Sequence, residues 1–243
     1  MKKNIIVLVT GIFFNLSFAQ YEDQLARAFS KGNKVTFSKV FIEKFVDNID
    51  RSYQIDDFKG SPYTSNEFAP AILFYNKEEI GAIYYRYNAL NEEIETKNTM
   101  IPGETIKGLK KDKSIIVLVN GEKMSFKTFT TSKEKTFNGY LTTLVGNGKY
   151  ILYHRVHVIY KEGEKAKNSF VSAVPNKFTH FTEYYYQVNN VNRVDEIPLS
   201  KGKFLNLFKD GEKENLKIFI KENKLNIKKK KDLITVFEFL NKK

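Results

Sequence analysis

Among the acids close enough together in sequence to act as a pair, Asp56 and Asp57 and the run Glu92, Glu93 and Glu95 stand out. On a strand, Glu93 and Glu95 would share one face at the ~5 to 9 Å over which two carboxyls flank a glycosidic bond. Glu93, Glu95 and Asp57 are therefore the acids to which a hydrolase reading would turn. A solvated strand face is the commoner setting for such acids. His154 and His157, three apart on a strand, point to opposite faces, and His180 belongs to another strand, so a metal would have to be gathered across strands. The absence of Cys excludes disulfides, thiol nucleophiles, iron–sulfur clusters and thiolate zinc sites. There is no Gly-x-Ser-x-Gly elbow. Gly146-Asn147-Gly148-Lys149 has neither the spacing nor the following Ser or Thr of a phosphate loop, and reads as a turn. The residues thus point to no catalytic group, no metal and no cofactor.

Two other patterns point to binding. Tyr84-Tyr85-Arg86-Tyr87 and Tyr153-His154-Arg155 interleave aromatic and basic side chains, which can stack on planar or sugar surfaces. Tyr85, Arg86, Tyr87, Glu93 and Glu95 are the candidate ligand contacts, set against the plainer role of alternate tyrosines filling a core. The absence of Trp weakens a carbohydrate-stacking or lipocalin reading. Lys228, Lys229, Lys230 and Lys231 form the candidate anionic-surface site. A helix starting at Asn226 or Ile227 would carry them in its first turn, where positive charge opposes the helix dipole.

The elements that must position these residues are mainly strands. From about Pro70 to Leu199 the dominant period is two, and short runs rich in Ile, Val, Tyr, Phe and Thr alternate with turn residues. Nine strands are expected: Ala71–Tyr75, Ile80–Asn88, Glu93–Lys97, Ser114–Val119, Glu122–Phe129, Tyr140–Val145, Tyr150–Tyr160, Phe178–Val188 and Arg193–Leu199. Asn120-Gly121 suits a type I′ hairpin turn. Ile115 to Val119 is apolar on both faces and belongs at the centre of a covered sheet. In Phe178–Val188 the even positions Phe178, His180, Thr182, Tyr184, Tyr186 and Val188 are expected in the core, with Glu183 and Gln187 facing water.

The period changes at Ser200. Ser200, Asp210 and Asn226 are suitable N-caps for three short amphipathic helices, the third burying Leu233, Ile234, Phe237 and Leu240. The expected fold is mainly β, a β-sandwich or partly open barrel of about nine antiparallel strands, with a small three-helix C-terminal appendage. Residues 61–199 form the β domain and residues 200–243 a basic helical appendage packed on it. In the N-terminal segment, residues 20–60, Phe37, Val40, Phe41, Phe45 and Ile49 suit a helical stripe.

Residues 1–19 have the layout of a secretory signal peptide. Lys2 and Lys3 precede about ten apolar residues, and Ser17 and Ala19 supply a small-x-small cleavage site, leaving Gln20 as the mature N-terminus. The apolar stretch is shorter than the roughly 20 residues of a bilayer span, and no later segment supplies one, so the mature chain has no transmembrane span. Charged C-terminal helices also argue against a transmembrane barrel. Loss of Lys2 and Lys3 takes the formal charge from +12 to +10, and residues 201–243 hold 13 Lys against 6 Asp or Glu, seven of those ten charges.

Gly60-Ser61-Pro62-Tyr63, Phe68, Arg86-Tyr87-Asn88 and the run Asn91-Glu92-Glu93-Ile94-Glu95, together with the lysine-rich end from Leu225 to Leu240, resemble an uncharacterised family of exported proteins of Bacteroidetes-type Gram-negative bacteria. The resemblance implies β-rich architecture and export, and brings no activity with it. The expectation is an exported protein of the periplasm or outer envelope that binds another envelope component or an anionic surface such as lipid headgroups or acidic glycan, and no nucleic acid. The alternatives are a β-barrel carrier of a small apolar ligand and a hydrolase of envelope polymers.

Overall fold

A computed structural model describes residues 20–28, 42–49, 58–164, 170 and 172–242. The expected signal peptide of residues 1–19, Phe37, Val40, Phe41 and the Asp56-Asp57 pair lie outside the described residues. The chain is mainly β, with twelve strands among the described residues rather than nine. They are β1 (Val46–Asn48), β2 (Phe58–Lys59), β3 (Ala69–Tyr75), β4 (Glu78–Asn88), β5 (Glu93–Lys97), β6 (Lys107–Leu109), β7 (Ile115–Val119), β8 (Glu122–Thr130), β9 (Thr136–Val145), β10 (Tyr150–Lys161), β11 (Asn176–Val188) and β12 (Val194–Glu196). The nine expected strands correspond to β3, β4, β5 and β7 to β12. The three additions have two or three residues each, too few to display a period. Three helices follow: α1 (Lys201–Leu205), α2 (Asp210–Glu222) and α3 (Lys230–Asn241).

The chain divides into two compact units, Met1–Ser125 with His157–His180, and Phe126–Val156 with Phe181–Lys243. That division cuts through the expected β domain of residues 61–199, because β8, β10 and β11 each contribute residues to both units. In the first unit the strands run β1, β6, β5, β4, β3, β7, β8. All of these neighbours are antiparallel. β2 pairs in parallel with the start of β11, a departure from an all-antiparallel sheet.

β7 lies between β3 and β8, and four of its five residues are buried. Residues 20–28 are helical, and Tyr21, Leu25 and Ala28 pack on Ile72 of β3 and Leu118 of β7. Leu118 meets the helix on one face, and Ile115, Val117 and Val119 on the other face are buried as well, so the strand has no wet face and its unbroken apolar sequence reflects that. Asn120 and Gly121 have φ of 50° and 78° and join Val119 to its partner Glu122. Positive φ at both central residues is the type I′ geometry that suits strand twist. Of the stripe expected from Phe37 to Ile49 only Phe45 and Ile49 are described: Glu43–Phe45 is one 3-10 turn and Val46–Asn48 is a strand paired with β6.

In the second unit the pairings run β8, β12, β11, β10, β9, and β9 pairs back with β8. The contact of β12 with β8 is parallel. Phe129, Leu141, Tyr153, Tyr185 and Val194, one from each of these five strands, form a buried cluster. A second core joins Tyr150, Leu152 and Tyr184 to Phe204, Leu205, Leu216, Ile220, Leu233, Val236, Phe237 and Leu240 of the helices. Tyr184 and Tyr185, adjacent on β11, therefore enter two different cores. This corrects the expectation that the odd face of β11 meets water, since helices cover one face and neighbouring strands the other. His180 and Thr182, expected inside, are exposed.

The helix starts differ in detail. Ser200 is the N-cap of α1 but makes no side-chain cap bond. Asp210 is the first residue of α2 rather than its cap, which is Lys209. Lys229, not Asn226, caps α3. The Asn226 carbonyl accepts from the Lys229 N–H, closing a turn before the helix.

Candidate functional site

Within the first unit, four of the motif segments singled out in the sequence meet at the end of β4 and β5. Arg86 lies directly opposite Glu95, and Asn88 opposite Glu93, so alternation puts Arg86, Asn88, Glu93 and Glu95 on one sheet face and Tyr85 and Tyr87 on the other. The five candidate ligand contacts are thus divided between two faces. Tyr87 is buried and Tyr85 half-buried. Burial, with smaller contributions from Tyr21 and Glu122, pushes the Tyr85 hydroxyl up to about 12, so it stays a neutral phenol at ordinary pH.

Glu95 is 1 % exposed, and each of its oxygens is engaged. Arg86 donates from Nε and Nη2 to Oε2 at 3.0 and 2.6 Å. The Tyr63 hydroxyl and the Asn88 Nδ2 donate to Oε1 at 3.2 and 3.3 Å. The Arg86 guanidinium lies 3.9 Å from the centre of the Tyr63 ring and 4.5 Å from that of Phe68, and donates to the Asn66 carbonyl. Pro62 accepts backbone bonds from Ala89 and Leu90, and Asn88 Oδ1 accepts from Leu90 and Asn91. A buried carboxylate is tolerated only with this degree of pairing. The arrangement suits a structural knot: a general base or nucleophile needs an oxygen open to substrate, and Glu95 offers none. Glu93 is half-buried, and a Cβ built on Gly108 would lie 2.7 Å from its Oε1. A side chain at Gly108 would therefore require the ends of the Glu93 and Ile49 side chains to move aside.

The histidines do not gather. His180 Nε2 bonds the Ser61 carbonyl at 2.9 Å, and the His154 ring lies 5.7 Å from that of Tyr184. Among the described residues there is no group of three or more His, Asp or Glu suited to a metal ion.

In the second unit Arg155 Nη1 donates to Glu183 Oε2 at 2.7 Å, as does the Tyr185 hydroxyl at 2.8 Å. Tyr153 donates to Gln187 Oε1. Tyr153-His154-Arg155 is therefore committed to internal bonds on its odd positions. The β9–β10 hairpin is clipped to two helices. Asn241 of α3 accepts from the Tyr150 N–H and donates to the carbonyls of Tyr150 and Asn147. Lys149 and the Tyr150 hydroxyl both bond Glu212 of α2, at 2.5 and 2.8 Å. The bond from Lys149, assisted by that from Tyr150, holds the Glu212 carboxyl below the usual carboxylate range.

The lysine cluster lies where α2 turns into α3. Lys228 and Lys229 precede α3, and Lys230 and Lys231 are its first two residues; Lys228, Lys229 and Lys231 are exposed. Asp232 in the first turn reaches back to the Asn226 N–H at 2.8 Å, and its charge offsets part of the lysines' unfavourable field at the helix start. Beside them Leu199, Ile220, Leu225 and Ile227 floor a groove of about 180 Å³ with Lys201 and Lys228 on its rim. Sequence reading singled out the lysines and missed the groove, because its walls come from three separated chain segments. Among the described residues no helix is long and apolar enough to cross a membrane.

Compared with known proteins, the chain matches no family model, no curated sequence and no solved structure.

Proposed function

We propose that this is an exported, non-catalytic component of a Gram-negative cell envelope whose basic helical end holds it to an anionic surface. The observation that carries the reading is the exposed lysine cluster at the start of α3, in a place where stability alone favours Asp or Glu. Each lysine near an anionic lipid surface contributes up to about 1 kcal/mol. Export rests on the signal-peptide pattern of residues 1–19 and on the resemblance to exported β-rich proteins. Against the hydrolase alternative stands Glu95, whose oxygens are taken by Arg86, Tyr63 and Asn88.

The five-strand circuit of the second unit is read as a small closed barrel. Phe129, Leu141, Tyr153, Tyr185 and Val194 lie together within it, so a cargo there would have to displace packed rings. Flotation of the mature protein with vesicles tests the binding reading. The protein is expected to rise with vesicles containing phosphatidylglycerol and to remain behind with phosphatidylcholine alone; equal behaviour with both would refute it. Intact-mass measurement of exported protein is expected to show a chain beginning at Gln20, and a mass retaining residues 1–19 would refute export by cleavage there.

A further inference from the structure

The groove beside the lysine cluster has a chemistry that surface attraction alone does not require. Ile220 comes from α2, Leu225 and Ile227 from the turn before α3, and Leu199 from the segment before α1. The Leu225 N–H bonds the Ile220 carbonyl at 3.0 Å, which folds the chain back and fixes the floor. Ile220 and Ile227 are nearly buried, while Leu199 and Leu225 are half-exposed at its sides. The lining contains two lysines and no acid. Between Lys221 and Lys231 the chain carries six Lys and one Glu. A floor of aliphatic carbon with a cationic rim is complementary to a molecule with an apolar chain and a negative head. The groove's volume of about 180 Å³ is below the ~300 to 1,000 Å³ of sites that enclose drug-sized ligands, so it suits one narrow chain laid along the floor.

We infer that this groove binds a single-chain anionic amphiphile, a fatty carboxylate, with its chain on Leu199, Ile220, Leu225 and Ile227 and its head between Lys201 and Lys228. The inference deepens the anionic-surface reading and rests on it, by naming the ligand class taken at the same end of the molecule.

Calorimetric titration of the mature protein with hexanoate, octanoate and decanoate, each below its micellar concentration at about 0.15 M salt, tests it. Affinity is expected to rise about fourfold per added methylene until the groove is filled. Decyltrimethylammonium is expected not to bind. Leu225→Gln, which removes apolar wall without changing charge, is expected to weaken decanoate binding about tenfold. Lys228→Gln, at an exposed position that does not threaten folding, should weaken it severalfold. Decanoate binding no tighter than hexanoate, equal binding of the cationic probe, or wild-type affinity in both variants would overturn the inference. Leu225→Gln should float with anionic vesicles as the wild type does. Loss of decanoate binding with retained flotation is the pattern expected of the groove variant. Failure of the wild type itself to float would count against the surface reading instead.

Discussion

Glu95 is held so deeply against Arg86 that removing the guanidinium leaves the carboxylate in a place where water cannot replace it. Replacing Arg86 by Met strands a carboxylate that is 1 % exposed, and the expected loss is about 3 to 5 kcal/mol. Glu95→Gln keeps one oxygen to accept from Arg86 but turns an amide NH2 group toward the Tyr63 hydroxyl and the Asn88 amide, which donate to the other oxygen, so a smaller loss of about 1 to 3 kcal/mol is expected. Urea unfolding of the two variants checks the order, and an equal or reversed cost would mean that the knot is not the buried pair described. Gly121 is held by a different constraint. Its φ is 78°, yet a Cβ built there meets nothing within 4 Å, so the cost of a side chain is conformational. Gly121→Val should lose about 1 kcal/mol or more by forcing a β-branched residue into the left-handed region. An unchanged melting temperature would contradict this.

At the scale of elements, the β9–β10 hairpin is joined to α2 through Lys149, Tyr150 and Glu212. Glu212 has a folded pKa below its unfolded one. Its ionised form therefore adds stability that is present above the ordinary carboxylate pKa and is lost as pH falls through the lower folded value. Because the pair is largely solvent-exposed, the expected contribution is only about 0.5 to 1 kcal/mol. Thermal melts of wild type and Glu212→Gln should differ at pH 6 to 7 and converge as pH drops below about 4. A constant difference across that range would show that the carboxylate charge is not what ties hairpin to helix.

Elements of this kind were legible in the sequence where the controlling interaction is local. Asn120-Gly121, the nine expected strands and the apolar stripe of Leu233, Phe237 and Leu240 all follow from residues within a few positions of one another. β1, β2 and β6 were not legible, since two or three residues carry no period, and β1 and β2 pair with segments far along the chain. β11 misled for a related reason. Alternation assigns one wet face, but Tyr184 and Tyr185 are both buried because helices and strands cover the two sides. The start of α3 shifted from Asn226 to Lys229 because Asp232 bonds the Asn226 N–H and holds a turn ahead of the helix. The candidate ligand contacts divided in the same way: adjacency in Tyr85-Arg86-Tyr87 is separation across a sheet, and the partners of Arg86 come from Tyr63, Phe68 and Glu95 instead.

For the molecule as a whole, charge carries more of the functional argument than shape. Seven of the ten net positive charges expected after removal of residues 1–19 lie in residues 201–243. The densest group surrounds the start of α3. Attraction of that group to an anionic surface should weaken as salt shortens the screening length, from about 30 Å at 0.01 M to about 8 Å at 0.15 M. Replacing Lys228 and Lys229 by Glu puts negative charge at the N-terminal end of α3, which the dipole favours, so the melting temperature should rise slightly. The variant is therefore not expected to lose binding through unfolding. The most direct measurement is co-sedimentation of wild type and Lys228→Glu/Lys229→Glu with phosphatidylglycerol-containing vesicles at about 0.15 M salt. The account predicts a bound fraction for the variant at least about tenfold lower in partition constant, from roughly 1 kcal/mol per lost lysine. Equal sedimentation of the two proteins would contradict it and leave the cluster as a solvated face.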